Sequence, residues 1–433
     1  MMNISQPASN FFEQNRKNLI SLLPQGSLAI INSSDEYPRN GDQSFPFRQN
    51  SDLYYLTGID QEMTRLVLAP TYHNKDFQEV LFIRKPDPAV ETWEGKKLDK
   101  ELATSISGIK TILYNDSFDS FLHEVMTASE SVYLNANEYP KYSNPVPYFD
   151  LRFSRELQSK FPLHKYERLA PLLKKLRMIK SETEIDLIRQ AINITGLAFN
   201  RVLKNIVPGM KEYQIEAEIT YAFMMNGARN HAYKPIIASG ENACFLHYVT
   251  NSDICRSGDL LLMDFGAEYL NYAADITRTI PVNGRFTKRQ KTFYDAIMKI
   301  QEQAGRLLVP GNTIDNVNKE VNAMMEESMI RLGLFSAEDV KKQPPSNPLY
   351  LKYFMHGVSH FIGLDVHDVG TKYEILQPGM VLTFEPGIYL REEKMGIRIE
   401  NVILVTENGP VNLSENIPAE ASEIESIMND RNS

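Results

Sequence analysis

Short apolar runs separated by turn residues fill about the first 170 positions, and each run has the length of a strand. Ser27–Asn32 (SLAIIN), Thr64–Leu68 (TRLVL), Glu79–Ile83 (EVLFI) and Ser131–Asn135 (SVYLN) are expected strands, with helices around Phe11–Leu23 and Phe118–Ala128. Such alternation predicts an α/β domain. A proline-bearing stretch at 140–147 loosens the pattern, and the basic segment Leu172–Lys180 leads into Ser181-Glu-Thr-Glu184. A serine followed three positions later by a glutamate is a capping box, so a long helix should open there. The boundary is expected within 170–180, giving domains at 1–175 and 176–433.

Beyond the boundary the periods lengthen. A helix is predicted over 181–206, and a second over 212–226 carries Ile215, Ile219, Ala222 and Phe223 at helical spacing before Gly227. An apolar strand pair follows at Asp259–Phe265 and Tyr272–Val282. Helices at 287–308 and 313–332, divided by Pro310-Gly311, precede a second strand pair at 380–390 and 396–406. Two rounds of helix, helix, hairpin predict a pseudo-symmetric α+β domain with a site between the hairpins.

Acids stand where such strands should be apolar. Asp264 sits in Leu260–Phe265, Glu385 closes Met380–Glu385, and Glu400 lies in Ile397–Ile403. An ionised carboxylate buried there must be paired or must bind a cation. A first hairpin turning at residues 269 and 270 would set Asp264 opposite Asp275. A second turning at 392 and 393 would set Glu385 opposite Glu400. Like charges facing one another repel, unless cations lie between them. Arg278 and Arg398 are the nearby candidates for ordinary ion pairing. Three of the eight histidines, His356, His360 and His367, fall within twelve residues among glycines. Spacing alone leaves open which of them ligates a metal.

Composition narrows the class without changing this picture. The 433 residues are 42% hydrophobic and 23% charged, ordinary for a soluble globular chain of two domains. A net charge of −9 and the lack of a Lys/Arg cluster with interleaved aromatics argue against nucleic acid. No run approaches the roughly 18 apolar residues of a membrane span, and Met1–Ser21 lacks the order of a signal peptide. Cys244 and Cys255 are the only cysteines; a disulfide between them is open, but a reducing, cytoplasmic compartment is the expectation. GxSxG, P-loop, HExxH and CxxC motifs are missing.

Met263–Tyr269, Tyr272–Pro281, the run HGVSHFIGLDVHDVG from His356, FEPGIY from Phe384 and GIRIEN from Gly396 together resemble the pita-bread metallopeptidases, most closely the aminopeptidase P type. Phe47–Gly58 is similar to the N-terminal domain that this type shares with prolidase. The resemblance implies an α/β N-terminal domain and an α+β catalytic domain of pita-bread fold with an internal pseudo-two-fold repeat. It also implies a ligand set: Asp264 on one cation, His360 and Glu385 on the other, Asp275 and Glu400 bridging. Creatinase-like relatives share the fold without these ligands. His247, His356, His367 and Arg398 match positions around the metals or substrate, with Tyr389 and Trp93 as further candidates.

Four carboxylates and one imidazole suit Mn²⁺, with Zn²⁺ or Co²⁺ as alternatives. Two such cations, roughly 3.5–4 Å apart, would generate a hydroxide for attack on a peptide carbonyl. The implied activity is hydrolysis of the N-terminal Xaa-Pro bond of peptides with proline second, in a homodimer or homotetramer. Glu385 would shuttle the proton to the leaving nitrogen, with His247 and His367 binding substrate. Prolidase is the near rival; Ser359 before His360 favours aminopeptidase P, since prolidases usually carry glycine there. The large N-terminal domain argues against methionine aminopeptidase. A non-catalytic binding protein on this fold is the rival from another class, disfavoured by the intact ligands.

Overall fold

The computed structural model describes residues 6–139, 141 and 145–430. Residues 1–5, together with 140 and 142–144 of the proline-bearing stretch, lie outside the described residues. The chain divides into two compact units, Met1–Arg177 and Met178–Ser433.

The first unit is built on a mixed six-stranded sheet. Its strands are β1 (Ser27–Asn32), β2 (Arg65–Leu68), β3 (Glu79–Ile83), β4 (Thr111–Tyr114), β5 (Ser131–Leu134) and β6 (Lys165–Arg168), in the order β4-β3-β2-β1-β5-β6. Every residue of β1 is buried, as a central strand covered on both faces requires. One covering helix, α1, spans Ser9–Leu22, and another, α2, spans Phe118–Thr127. Phe118, Phe121, Leu122 and Val125 of α2 pack with Leu28, Phe82 and Val132 of the sheet.

The second unit opens with α3 (Glu182–Asn205), whose predicted capping box is formed. Ser181 N donates to Glu184 Oε2 at 2.9 Å, and Glu184 N donates to Ser181 Oγ at 3.4 Å. After α4 (Glu212–Met225) come β7 (Ile236–Ser239), β8 (Leu260–Phe265), β9 (Ala267–Tyr269), β10 (Tyr272–Ala273) and β11 (Ile276–Pro281). Helices α5 (Lys288–Gly305) and α6 (Ile314–Arg331) precede β12 (Val381–Phe384), β13 (Gly387–Leu390), β14 (Met395–Arg398), β15 (Asn401–Thr406) and β16 (Gly409–Asn412). The helix, helix, hairpin round is therefore present twice.

Both hairpins depart from continuous strand pairs. In the first, the ladder breaks at Gly266 and at Ala274-Asp275, where the backbones come so close that a Cβ on Gly266 would sit 1.7 Å from the Ala274 oxygen. Only glycine permits that approach of two backbones. The second breaks at Glu385-Pro386 and Ile399-Glu400. Gln301, buried on α5, bridges this break by donating to the carbonyls of Phe384 at 2.7 Å and Ile399 at 3.2 Å. A polar side chain on the buried face of a helix thus satisfies two carbonyls that the ladder leaves over.

Candidate metal centre

Register decides where the acids meet. The first hairpin turns at Leu270 and Asn271, both at positive φ (46° and 66°), one position later than the pattern predicts. Asp264 consequently pairs with Thr277 rather than Asp275. The slip is two residues along the partner strand, yet the acids still meet, because the Tyr233 hydroxyl reaches both Asp264 and Asp275. In the second hairpin, Gly387 pairs with Arg398 and Phe384 with Asn401, which sets Glu385 opposite Glu400 across the break, as expected.

Asp275, His360 and Glu400 each bring a potential ligand atom within 4.8 Å of the others. His360 Nε2 lies 3.4 Å from Asp275 Oδ2 and 3.9 Å from Glu385 Oε1. His360 Nδ1 lies 3.0 Å from the Phe361 carbonyl, so it carries the donated proton and leaves Nε2 facing the acids. Burial works against a charged His360 ring, yet the Asp275 contact and the Glu385 charge raise it to about 9. Burial pushes Glu385 up to about 7, and it also raises Asp275 and Glu400, whose acidic neighbours push further the same way. A divalent cation would relieve the repulsion among these crowded carboxylates and take the place of the proton on His360 Nε2, so four acids and one imidazole form a donor set that fits hard divalent cations.

Asp264 is braced on two sides. Arg398 Nη2 donates to its Oδ2 at 2.5 Å, and the hydroxyl of Tyr233 lies 2.5 Å from its Oδ1. The same hydroxyl contacts Asp275 Oδ1, so two carboxylates share one phenolic proton. Arg398 also donates Nη1 to Tyr389 OH at 2.9 Å and Nε to Thr277 Oγ1 at 3.1 Å. Thr277 in turn donates to Glu400 Oε2 at 2.7 Å. With its oxygen accepting from Arg398, Tyr389 donates to His356 Nε2 at 2.8 Å, while His356 Nδ1 meets the Gly357 carbonyl at 2.8 Å. That tautomer is neutral, and burial lowers His356 to about 4.

His367 is exposed, with its ring edge-on to His360 at a centroid distance of 4.4 Å. The adjacent Asp368 forms a fully buried ion pair with Lys180, 2.8 Å. His247 is also exposed, near enough to His356 for their charges to interact. Arg278 does not pair with an acid of the cluster. Its guanidinium donates to the carbonyls of Thr277, Glu400, Ile417 and Pro418 and to the side-chain oxygen of Asn401. Trp93 belongs to the first unit and is 89% exposed. Tyr233, Thr277 and Gln301 escaped sequence reasoning. Tyr233 lies in a segment without periodicity, and Thr277 reads as an ordinary strand residue.

Comparison with known proteins extends these observations to the whole chain. Residues 186–407 match the model of metallopeptidase family M24, and residues 12–133 match the aminopeptidase P N-terminal domain. The Xaa-Pro aminopeptidase of Escherichia coli is 36% identical, covering 98% of this chain and 99% of the relative. That of Haemophilus influenzae is 35% identical over 96% and 97%. A solved structure of zinc-substituted E. coli aminopeptidase P in complex with product superimposes with a TM-score of 0.89 at 35% identity, covering 99% of this chain and all of that one (100%).

Proposed function

The chain belongs to metallopeptidase family M24, and on that premise we propose that it is an Xaa-Pro aminopeptidase, releasing the first residue of peptides whose second residue is proline. The observation that carries the reading is the convergence of Asp275, His360 and Glu400, in a chain matched end to end by Xaa-Pro aminopeptidases. Asp264 and Glu385 complete the ligand set for two divalent cations. Mn²⁺ is the proposed pair for so oxygen-rich a set, with Zn²⁺ or Co²⁺ as substitutes. When bound, such cations supply Lewis acidity toward the scissile carbonyl and acidify water near neutral pH.

The chain's own residues do the rest. Glu385 accepts the proton of the attacking water and returns it to the leaving prolyl nitrogen. His247 and His367, both exposed beside the cluster, hydrogen-bond the substrate. The Tyr389 and Arg398 side chains fix His356 and Asp264, so that neither has to reorganise during turnover. Prolidase is not favoured: relatives spanning the chain include Xaa-Pro aminopeptidases from bacteria to human, the human Xaa-Pro aminopeptidase 3 at 30% identity.

Two free, buried cysteines support the cytoplasmic setting, and among the described residues no helix is long and apolar enough to cross a membrane. The protein is proposed to act as a homodimer or homotetramer, with the exposed Trp93 available to a neighbouring subunit. One kinetic panel tests the activity: an Xaa-Pro-Xaa tripeptide and an Xaa-Pro dipeptide, each with Mn²⁺, Zn²⁺ and Co²⁺. Tripeptide cleavage should dominate with Mn²⁺; dipeptide cleavage alone would turn the reading to prolidase.

A further inference from the structure

His247 sits in a loop with little regular structure, from Gly240 to Asp253, yet a substrate-binding side chain needs a defined position. One residue holds both ends of that loop. Glu212, the first residue of α4, is wholly buried. Its Oε1 accepts from Ser239 N at 2.8 Å and from Asn242 Nδ2 at 3.0 Å. Its Oε2 accepts from Tyr248 OH at 2.7 Å and from Asp253 N at 2.9 Å. Two donors precede His247 and two follow it, one of them on the very next residue. The helix backbone adds a fifth bond, Glu212 N to the Asp253 carbonyl at 3.0 Å.

We propose that Glu212 is a positioning residue for the reaction, clamping the Gly240–Asp253 loop so that His247 faces the substrate. The inference rests on the reading of His247 as a substrate contact. A carboxylate suits the task because it is acceptor-only and all four groups facing it are donors. Charge-assisted bonds of this kind are short and strong, and the start of a helix favours the negative charge. The isosteric amide fails for a definite reason. In Glu212→Gln one oxygen becomes an NH₂ group that must face either the Ser239 or the Asp253 backbone N–H, and neither can accept.

The test measures kcat and KM on an Xaa-Pro-Xaa tripeptide with Mn²⁺ for four proteins: wild type, Glu212→Gln, His247→Ala and the double variant. Tyr248→Phe, which removes a single hydroxyl, serves as the milder variant should Glu212→Gln fold poorly. Glu212→Gln is expected to lower kcat/KM roughly 10- to 100-fold. Its Mn²⁺ content should stay at the wild-type level, and it should add little to His247→Ala in the double variant. Tyr248→Phe should move kcat/KM the same way by a smaller factor. Glu212→Gln with wild-type kcat/KM and only a lowered melting temperature would overturn the proposal, as would full additivity with His247→Ala. Wild-type kcat/KM in His247→Ala would instead refute the role of His247 itself, and the two failures are therefore distinguishable.

Discussion

Arg398 reaches from the second hairpin to Asp264 of the first, Nη2 to Oδ2 at 2.5 Å, and it also holds Tyr389 and Thr277. One planar guanidinium thus fixes side chains from three strands. A lysine would keep the charge but could not span those three partners with the same geometry. Arg398→Lys is expected to lower kcat/KM on an Xaa-Pro-Xaa tripeptide by about 10- to 100-fold, about 1.4–2.7 kcal/mol of transition-state stabilisation. Steady-state kinetics at saturating Mn²⁺ check this; wild-type kcat/KM would show the fork to be dispensable.

Gly266 lies at the break of the first hairpin, against the backbone of Ala274 just before Asp275. A Cβ added there would lie 1.7 Å from the Ala274 oxygen, a backbone atom that cannot rotate away. Gly266→Ala should therefore force the two strands apart, destabilising the protein by about 3 kcal/mol or more and weakening metal binding together with it. Urea denaturation and Mn²⁺ titration read the two effects, and an unchanged midpoint would contradict the close approach.

Asp150, buried in the first unit, accepts from Asn32 Nδ2 at 2.8 Å. Burial raises its carboxyl to about 7, with the Asp52 and Asp35 charges adding to the rise. The folded state therefore holds a proton that the unfolded chain releases above about pH 4. The contribution is complete below that point and is lost as pH rises toward 7, by an amount on the order of a few kcal/mol. Chemical denaturation of the wild type should show stability falling across pH 4–7 through this group. Asp150→Asn should flatten that slope and be the more stable protein at pH 8. Equal slopes in both would remove Asp150 from the explanation.

Much of this architecture was legible from the sequence wherever burial alone sets the pattern. β1 and β3 carry their predicted limits, and the capping box at Ser181 opens α3. Glu385 faces Glu400 because the second hairpin turns where expected. The first hairpin misled the pattern because its turn places Leu270 at positive φ, a conformation that a leucine adopts rarely. Pairing Asp264 with Thr277 required knowledge of the turn, yet the expected meeting of Asp264 and Asp275 holds, through the Tyr233 hydroxyl that contacts both.

Histidine roles were less legible than the acids. His356 and His360 are four apart, and spacing could not choose between them. What separates them is tertiary: His356 Nε2 is engaged by Tyr389, while His360 Nε2 faces the carboxylates. Tyr233 was invisible because nothing local distinguishes a phenol that meets two acids from distant strands. Gln301 carried a faint signal, a polar residue on the apolar face of a predicted helix.

Asp264, Asp275, His360, Glu385 and Glu400 are proposed to form one metal-dependent hydrolytic centre, with Glu385 also moving the proton. Turnover of an Xaa-Pro-Xaa tripeptide by Mn²⁺-loaded Glu385→Ala, beside the wild type, tests this most directly. The expected result is a fall in kcat of roughly 10²- to 10⁴-fold or more, with the far-UV circular dichroism of the wild type. Wild-type turnover in that variant would contradict the proposed centre.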